Sequence, residues 1–207
     1  MALEFHQGQR ELQDRFDTRR LADRLGSVAG AVFSEELAAF IAARDMFFLA
    51  TADADGVPDC SYKGGDPGFV RVTDDTLTFP GYDGNGMFRS LGNILVNPHV
   101  GMLFVDLATG SRLRVNGVAE VHLEGELVDS YPGAICAVSV TADAVFPNCR
   151  RYVHEYRQVS ASPFVPHEGG EPPVPDWKRD PWFDGTLAAG DPAHDPSKPS
   201  APAIPHF

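Results

Sequence analysis

Two short polar segments gather the side chains that can do chemistry. Ser61, Tyr62, Lys63, Gly64 and Gly65 close one apolar stretch, and residues 84–90, with Gly84, Asn85, Gly86, Met87, Phe88, Arg89 and Ser90, lead into another. Lys63 and Arg89 offer charge-assisted hydrogen bonds, and the hydroxyls of Ser61 and Ser90 offer neutral ones. Gly84 and Gly86 let a ligand come close to the backbone. A helix opening at residue 87 adds unpaired N–H groups and a partial positive charge. Together these are the groups that a phosphate needs. The competing reading is an ordinary strand-to-helix connection with a surface lysine and arginine, and composition leaves the two evenly balanced.

Other chemistries find little support. There is no Gly-x-Ser-x-Gly elbow, no His-Glu-x-x-His pair and no Walker loop. The seven histidines are scattered, and His99 and His154 read as structural or surface residues. Glu124 and Glu126 flank Gly125 and read as a solvated turn. Cys60, Cys136 and Cys149 lie far apart, with no Cys-x-x-Cys pair and no spacing for zinc, so no metal site is expected. Their odd number argues against a secreted disulfide framework; only Cys60, beside Ser61, is near the polar cluster. With 17 Lys and Arg against 29 Asp and Glu, the formal net charge is -12. Duplex nucleic acid is not expected as a partner, because binding it takes a cationic surface. A local anion site needs only a few donors and stays compatible with that total. The first residues are charged early and hold no apolar leader segment, and no apolar run approaches the ~18 residues of a membrane helix. A cytoplasmic protein with no membrane partner is the expectation.

The elements that must position the cluster follow from periodicity. The chain has 207 residues, 43% of them hydrophobic, and reads as three segments. Residues 1–45 form an N-terminal helical extension. Phe5, Leu12, Phe16, Leu21 and Leu25 recur at helical spacing up to a stop at Gly26, and a second helix starts at Ser34, a good N-cap followed by Glu35 and Glu36. Residues 46–160 change period. Strands are expected at 46–51, 57–63, 69–72, 76–79, 100–107, 111–123 and 137–141, pairs of them closed by turns at Asp53–Gly56 and 73–75. A helix is expected over 87–97, stopped by Pro98, and a short one over 150–157. Along 111–123, Arg112, Arg114 and Asn116 alternate with Leu113 and Val115. Although seven segments are marked, the fold is read as mainly β, a small antiparallel barrel of six strands with one internal helix. Residues 161–207 are a Pro-rich C-terminal arm and tail holding eleven of the 17 prolines. Its end, from Asp191, reads as disordered or clinging, whereas Trp177 and Trp182, beside Lys178 and Arg179, suggest an arm that docks on something.

On the segments 47–65, 77–104 and 112–121 the chain resembles the pyridoxamine 5′-phosphate oxidase-like, FMN-binding split-barrel family, in its less characterised branch. The resemblance covers residues 47–122 and rests on the order and spacing of the segments. It implies a six-stranded antiparallel split barrel with flanking helices over 46–160, and a homodimer with FMN at the subunit interface. Carried over by position, it implies that Ser61, Tyr62, Lys63 and Gly64 contact the flavin and its phosphate. Asn85, Met87, Phe88, Arg89 and Ser90 match the next contact segment, with Asn93 one turn further on, and Arg112 or Arg114 would offer a polar side chain to the ring system. Two departures stand out. Pyridoxamine 5′-phosphate oxidases proper carry a C-terminal Trp with a later Arg and an Arg-x-His motif; here Trp177 and Arg179 are two apart with no Arg-x-His after them. Oxidation of vitamin B6 is therefore not what the chain promises.

Two classes of function follow from the resemblance. One is an FMN-dependent oxidoreductase that passes electrons or hydride between reduced flavin and a small organic acceptor or dioxygen. The other is a non-catalytic flavin-binding or redox-sensing protein. Deazaflavin F420 would favour more Lys and Arg, and haem would want an axial His. No catalytic residue is assigned; Tyr62, Tyr82 and Arg112 are the polar candidates to test.

Overall fold

The computed structural model describes residues 3–202. The chain divides into two compact units, Met1–Arg157 and Gln158–Phe207.

In the first unit, helix α1 (Gln7–Arg15) begins with a capping box, in which His6 and Gln9 exchange side-chain and backbone hydrogen bonds. The helical spacing from Phe5 to Leu25 is split rather than continuous. Asp17 takes a positive φ of 51°, and helix α2 (Arg19–Gly26) starts afresh after it. Helix α3 (Glu35–Ala42) starts as expected, with Ser34 Oγ accepting from the Leu37 amide at 3.3 Å.

Strands β1 (Met46–Ala52) and β2 (Pro58–Gly64) form a hairpin. Its turn is made by Asp53 Oδ1, which accepts from the amides of Asp55 and Val57 at 3.0 and 2.9 Å, and by Gly56 at φ 84°. Strands β3 (Arg71–Thr73) and β4 (Thr76–Gly81) form a second hairpin. Helix α4 (Arg89–Val96) precedes β5 (His99–Asp106) and β6 (Ser111–His122). The four-residue helix α5 (Glu126–Asp129) and strand β7 (Cys136–Asn148) follow. The sheet is antiparallel throughout, in the order β2-β1-β5-β6-β7-β4-β3.

The fold class is the expected one, a mainly β split barrel with flanking helices, but the sheet has seven strands rather than six. The last of them runs to Asn148 instead of stopping near Thr141. Its second half begins with Ala142, Asp143 and Ala144, burying two alanines where a hydropathy pattern looks for larger side chains, before the buried Val145. The helix expected over 150–157 does not form. Tyr152 adopts φ 66°, is 90% exposed and has no apolar surface to hold a helix in place.

What curls the sheet is aromatic packing. Phe47 on β1 lies 5.0 Å, ring centre to ring centre, from Phe79 on β4, and 5.1 and 5.9 Å from Phe104 and Phe69. Three strands separate β1 from β4 in the sheet order, which in a flat sheet would be roughly 19 Å. The inner face therefore closes around one core that includes Ile41, Leu49, Leu77, Leu113, Val115 and Val138. Where β6 meets β7 the register shifts at Asn116 and Gly117, and a methyl group on Gly117 would run into the Thr141 carbonyl.

The second unit has little sheet. Strands β8 (Val174–Pro175) and β9 (Ser200–Ala201) pair in parallel, with single 3-10 turns at Asp176–Arg179, Pro181–Phe183 and Pro192–His194. The end of the arm is thus ordered as far as residue 202, and residues 203–207 of the expected tail lie outside the described residues. Polar contacts do much of the fastening. The buried Lys178 ammonium meets Asp191 at 2.8 Å, and Arg179 donates to the carbonyls of Asp195 and Lys198 at 2.9 and 2.8 Å. Trp177 and Trp182 pack edge-on against Phe183, with Trp182 79% exposed.

Truncating the central ring, Phe47→Ala, is expected to lower unfolding free energy by about 3–5 kcal/mol in urea titrations. Gly117→Ala is expected to destabilise as well, through backbone collision rather than a cavity.

Candidate functional site

Strand β2 is an edge strand whose inner face is polar. Alternation puts Asp59, Ser61 and Lys63 on one side, opposite Thr51, Leu49 and Phe47 of β1. Next door that side is sealed into the core; on β2 it opens into a groove of about 510 Å³. The far wall is the end of β4 with the loop after it, from Phe79 to Gly86, and then Met87 to Leu91 at the start of α4. The curl of the sheet is what brings these walls together.

Nine of the twelve residues singled out from the sequence line this groove: Ser61, Tyr62, Lys63, Gly64, Asn85, Met87, Phe88, Arg89 and Ser90. The other three do not. Asn93 Nδ2 donates to Thr51 Oγ1 at 3.1 Å. Arg112 donates to the Cys149 carbonyl, and Arg114 is exposed on β6. Two further residues at the groove carry no such signal of their own. Asp59 lies two positions before Ser61, where strand alternation alone could have found it. Cys136, opposite Gly81 on β7, is buried behind the groove wall, where a methyl group on Gly81 would run into its thiol. Nothing in its sequence neighbourhood points there.

Among the described residues, none hydrogen-bonds the Lys63 amine. Burial lowers its pKa below the ordinary lysine value, and electrostatic interaction with Asp59 first and with Cys136 second offsets this only in part. Burial raises the Cys136 thiol in turn, against the pull of Lys63 and a backbone bond from Gly81. Tyr62 and Tyr82 are raised as well, by burial first and then by Asp45 and Asp66 respectively. At the mouth, Arg89 Nε donates to Asp59 Oδ1 at 3.0 Å and Ser90 Oγ to Asp59 Oδ2 at 3.2 Å, with Ser61 Oγ 2.9 Å from Ser90 Oγ.

Helix α4 enters this wall without a side-chain cap. Its N-cap residue, Phe88, sits in the left-handed region at φ 49°, ψ 28°, and is 55% exposed. Before it, Asn85 Oδ1 accepts from the Met87 amide at 3.1 Å and Gly86 takes φ 75°. An aromatic residue held in that conformation is strained by roughly 1–2 kcal/mol. Chemically, the groove offers a desolvated cation, a second cation at its rim, two hydroxyls, open backbone at Gly84 and Gly86, and exposed rings. That suits an amphipathic ligand with a flat apolar part and an anionic end. Among the described residues there is no group of three or more His, Cys, Asp or Glu placed to hold a metal ion, and no helix long and apolar enough to cross a membrane.

Comparison with known proteins gives residues 33–152 as a match to the family described as pyridoxamine 5′-phosphate oxidase. No curated protein matches the sequence. Solved structures similar to this chain include HupZ of Group A Streptococcus, at 21% identity and TM-score 0.46, covering 60% of this chain and 99% of that one. HutZ from Vibrio cholerae, described as a heme storage protein, is 19% identical with TM-score 0.41, covering 52% and 88%. An FAD binding protein from Mycobacterium smegmatis is 14% identical with TM-score 0.38, covering 56% and 95%. With every one of these TM-scores below 0.5, such likenesses carry no weight for the chemistry of the groove.

Two variants report on the groove itself. Lysine at 63 binds fewer protons when folded than when unfolded, so its penalty is present below the depressed folded pKa and fades as pH rises toward 10.5. Lys63→Met is therefore expected to raise the thermal midpoint at pH 7 and to remove that upward drift from the pH profile. Phe88→Gly is expected to raise it by about 2–4 °C through relief of the left-handed strain.

Proposed function

The chain belongs to the pyridoxamine 5′-phosphate oxidase family, and from that premise we propose that the groove between β2 and α4 holds FMN and that the protein is an FMN-dependent oxidoreductase. The observation that carries the reading is the Lys63 amine: a half-buried cation in the groove wall with no hydrogen-bond partner among the described residues. Burying it is unfavourable unless an anion joins it. A phosphate ester satisfies that demand, and the groove is of the size that takes a ligand of this kind.

Lys63 and Arg89 would hold the phosphate, with Ser61 and Ser90 adding hydroxyls. Backbone near Gly64 and Asn85–Met87 would meet the ring system, and Tyr62, Met87 and Phe88 would cover its faces. Bound there, FMN would supply reversible one- and two-electron chemistry. Asn93, Arg112 and Arg114, which do not line the groove of a single chain, have no assigned part in holding it. The acceptor is read as a small organic molecule or dioxygen. Tyr82 is the lining group placed to be tested in proton transfer, since burial keeps its hydroxyl protonated.

A homodimer fits the same surface. Tyr62, Met87 and Phe88 are 61%, 64% and 55% exposed around the groove, and a second copy of the chain would cover them.

The test begins with mass spectrometry of whatever chromophore the denatured protein releases, FMN being expected. Lys63→Ala with Arg89→Ala is expected to weaken FMN by about 10²–10⁴-fold, since each lost charge-assisted bond is worth roughly 1.5–3 kcal/mol, with the fold kept. Full flavin stoichiometry in the double variant would reject the assignment. Anaerobic bleaching by NADH or NADPH separates an oxidoreductase from a flavin carrier without turnover.

A further inference from the structure

Three donors at the groove mouth, the Arg89 Nε–H and the two serine hydroxyls, are already engaged, while the terminal nitrogens of Arg89 stay open among the described residues, and a count of the hydrogens shows how. A carboxylate only accepts, so the Ser90 contact with Asp59 Oδ2 takes the single hydroxyl hydrogen of Ser90. The 2.9 Å contact between the two serine oxygens must then take the hydrogen of Ser61. Arg89 gives its Nε–H to Asp59 Oδ1. Both hydroxyls are left with lone pairs, not hydrogens, for anything else in the groove. The Asp59 side chain is only 17% exposed and is the first negative charge felt by Lys63. The free protein thus carries an anion of its own among the groups that a phosphate would use.

We propose that Asp59 is the resident counter-anion of this groove, holding the Nε–H of Arg89 and the hydroxyl of Ser90 until a phosphate ester, met first by the free terminal nitrogens of Arg89, displaces it. Resting on the flavin reading of the same groove, this makes Asp59 the residue that sets how strongly phosphate-bearing flavin is preferred over flavin without phosphate. The displacement breaks no covalent bond. The Ser90 hydroxyl turns from carboxylate to phosphate, the Ser61 hydroxyl is released to follow it, and Arg89 exchanges one oxyanion for another. The carboxylate left behind repels the newcomer, so the wild-type chain takes phosphate less tightly than its count of donors promises. The substitution Asp59→Asn reverses the chain of hydroxyls. The amide Nδ2–H can donate to Ser90, Ser90 to Ser61, and Ser61 into the groove, while one negative charge disappears.

The experiment titrates the full-length protein, freed of any bound chromophore, with FMN, riboflavin and inorganic phosphate, as wild type, Asp59→Asn and Asp59→Ala. Circular dichroism confirms the fold of each. Asp59→Asn is expected to bind FMN about tenfold more tightly or better, with Asp59→Ala in the same direction and riboflavin unchanged. An FMN affinity that stays the same or falls in Asp59→Asn overturns the proposal; a fall would make the carboxylate a positioning group for Arg89. If no variant binds FMN, the flavin reading fails, and inorganic phosphate decides for Asp59 alone. Tighter phosphate in Asp59→Asn supports the counter-anion, and equal, weaker or absent binding overturns it.

Discussion

The contact between Phe47 and Phe79 is the constraint on which the rest depends. Those two rings belong to strands that a flat sheet would hold far apart, and their packing at 5.0 Å turns the sheet back on itself. Once it is turned, the inner side of β2 faces the end of β4, and a groove appears between them. The chemistry along β2 would otherwise sit on an ordinary edge strand open to water. A core contact thus makes the site, although no core residue needs to touch a ligand with anything polar.

The groove is electrostatically divided. At one end, Lys63 is partly buried and makes no hydrogen bond among the described residues, near the Cys136 thiol whose pKa burial raises. At its mouth, Asp59 neutralises Arg89. Lys63 therefore feels the Asp59 charge without a hydrogen-bonded anion, whereas Arg89 already has one. On a molecule of net charge -12, the proposed ligand would have to reach Lys63 and compete with Asp59 at Arg89 together. The exposed rings at the rim supply the apolar part of such a contest.

Much of this was legible in the chain because the two periods of protein structure differ so plainly. Alternation announced β6, with Leu113 and Val115 inside and Arg114 out, and the apolar run at 46–51 announced β1. The Ser34 cap was readable because one side chain makes it. Failures came where the deciding contact is distant. The far half of β7 is specified by its pairing with β6, not by its own hydropathy. Residues 150–157 have helical spacing but nothing to pack on. The break at Asp17 is a backbone event with no strong residue signature. In the site, Ser61 and Lys63 were found by type, while Asp59 was overlooked because an acid does not look like part of an anion site. Cys136 came from the other side of the sheet.

In the second unit, polar contacts take the place of a large core. Burial raises the Asp191 carboxyl, but the bonds from Lys178 and the Ala193 amide outweigh it and hold its pKa below the ordinary value. Its contribution is complete at neutrality and drains away as pH falls through that lowered value, removing one of the negative charges that the buried Lys178 ammonium faces. A clasp of this kind is latched by ionisation rather than by oil. Acidification therefore loosens the Lys178–Asp191 contact under conditions that leave an apolar core of phenylalanines indifferent.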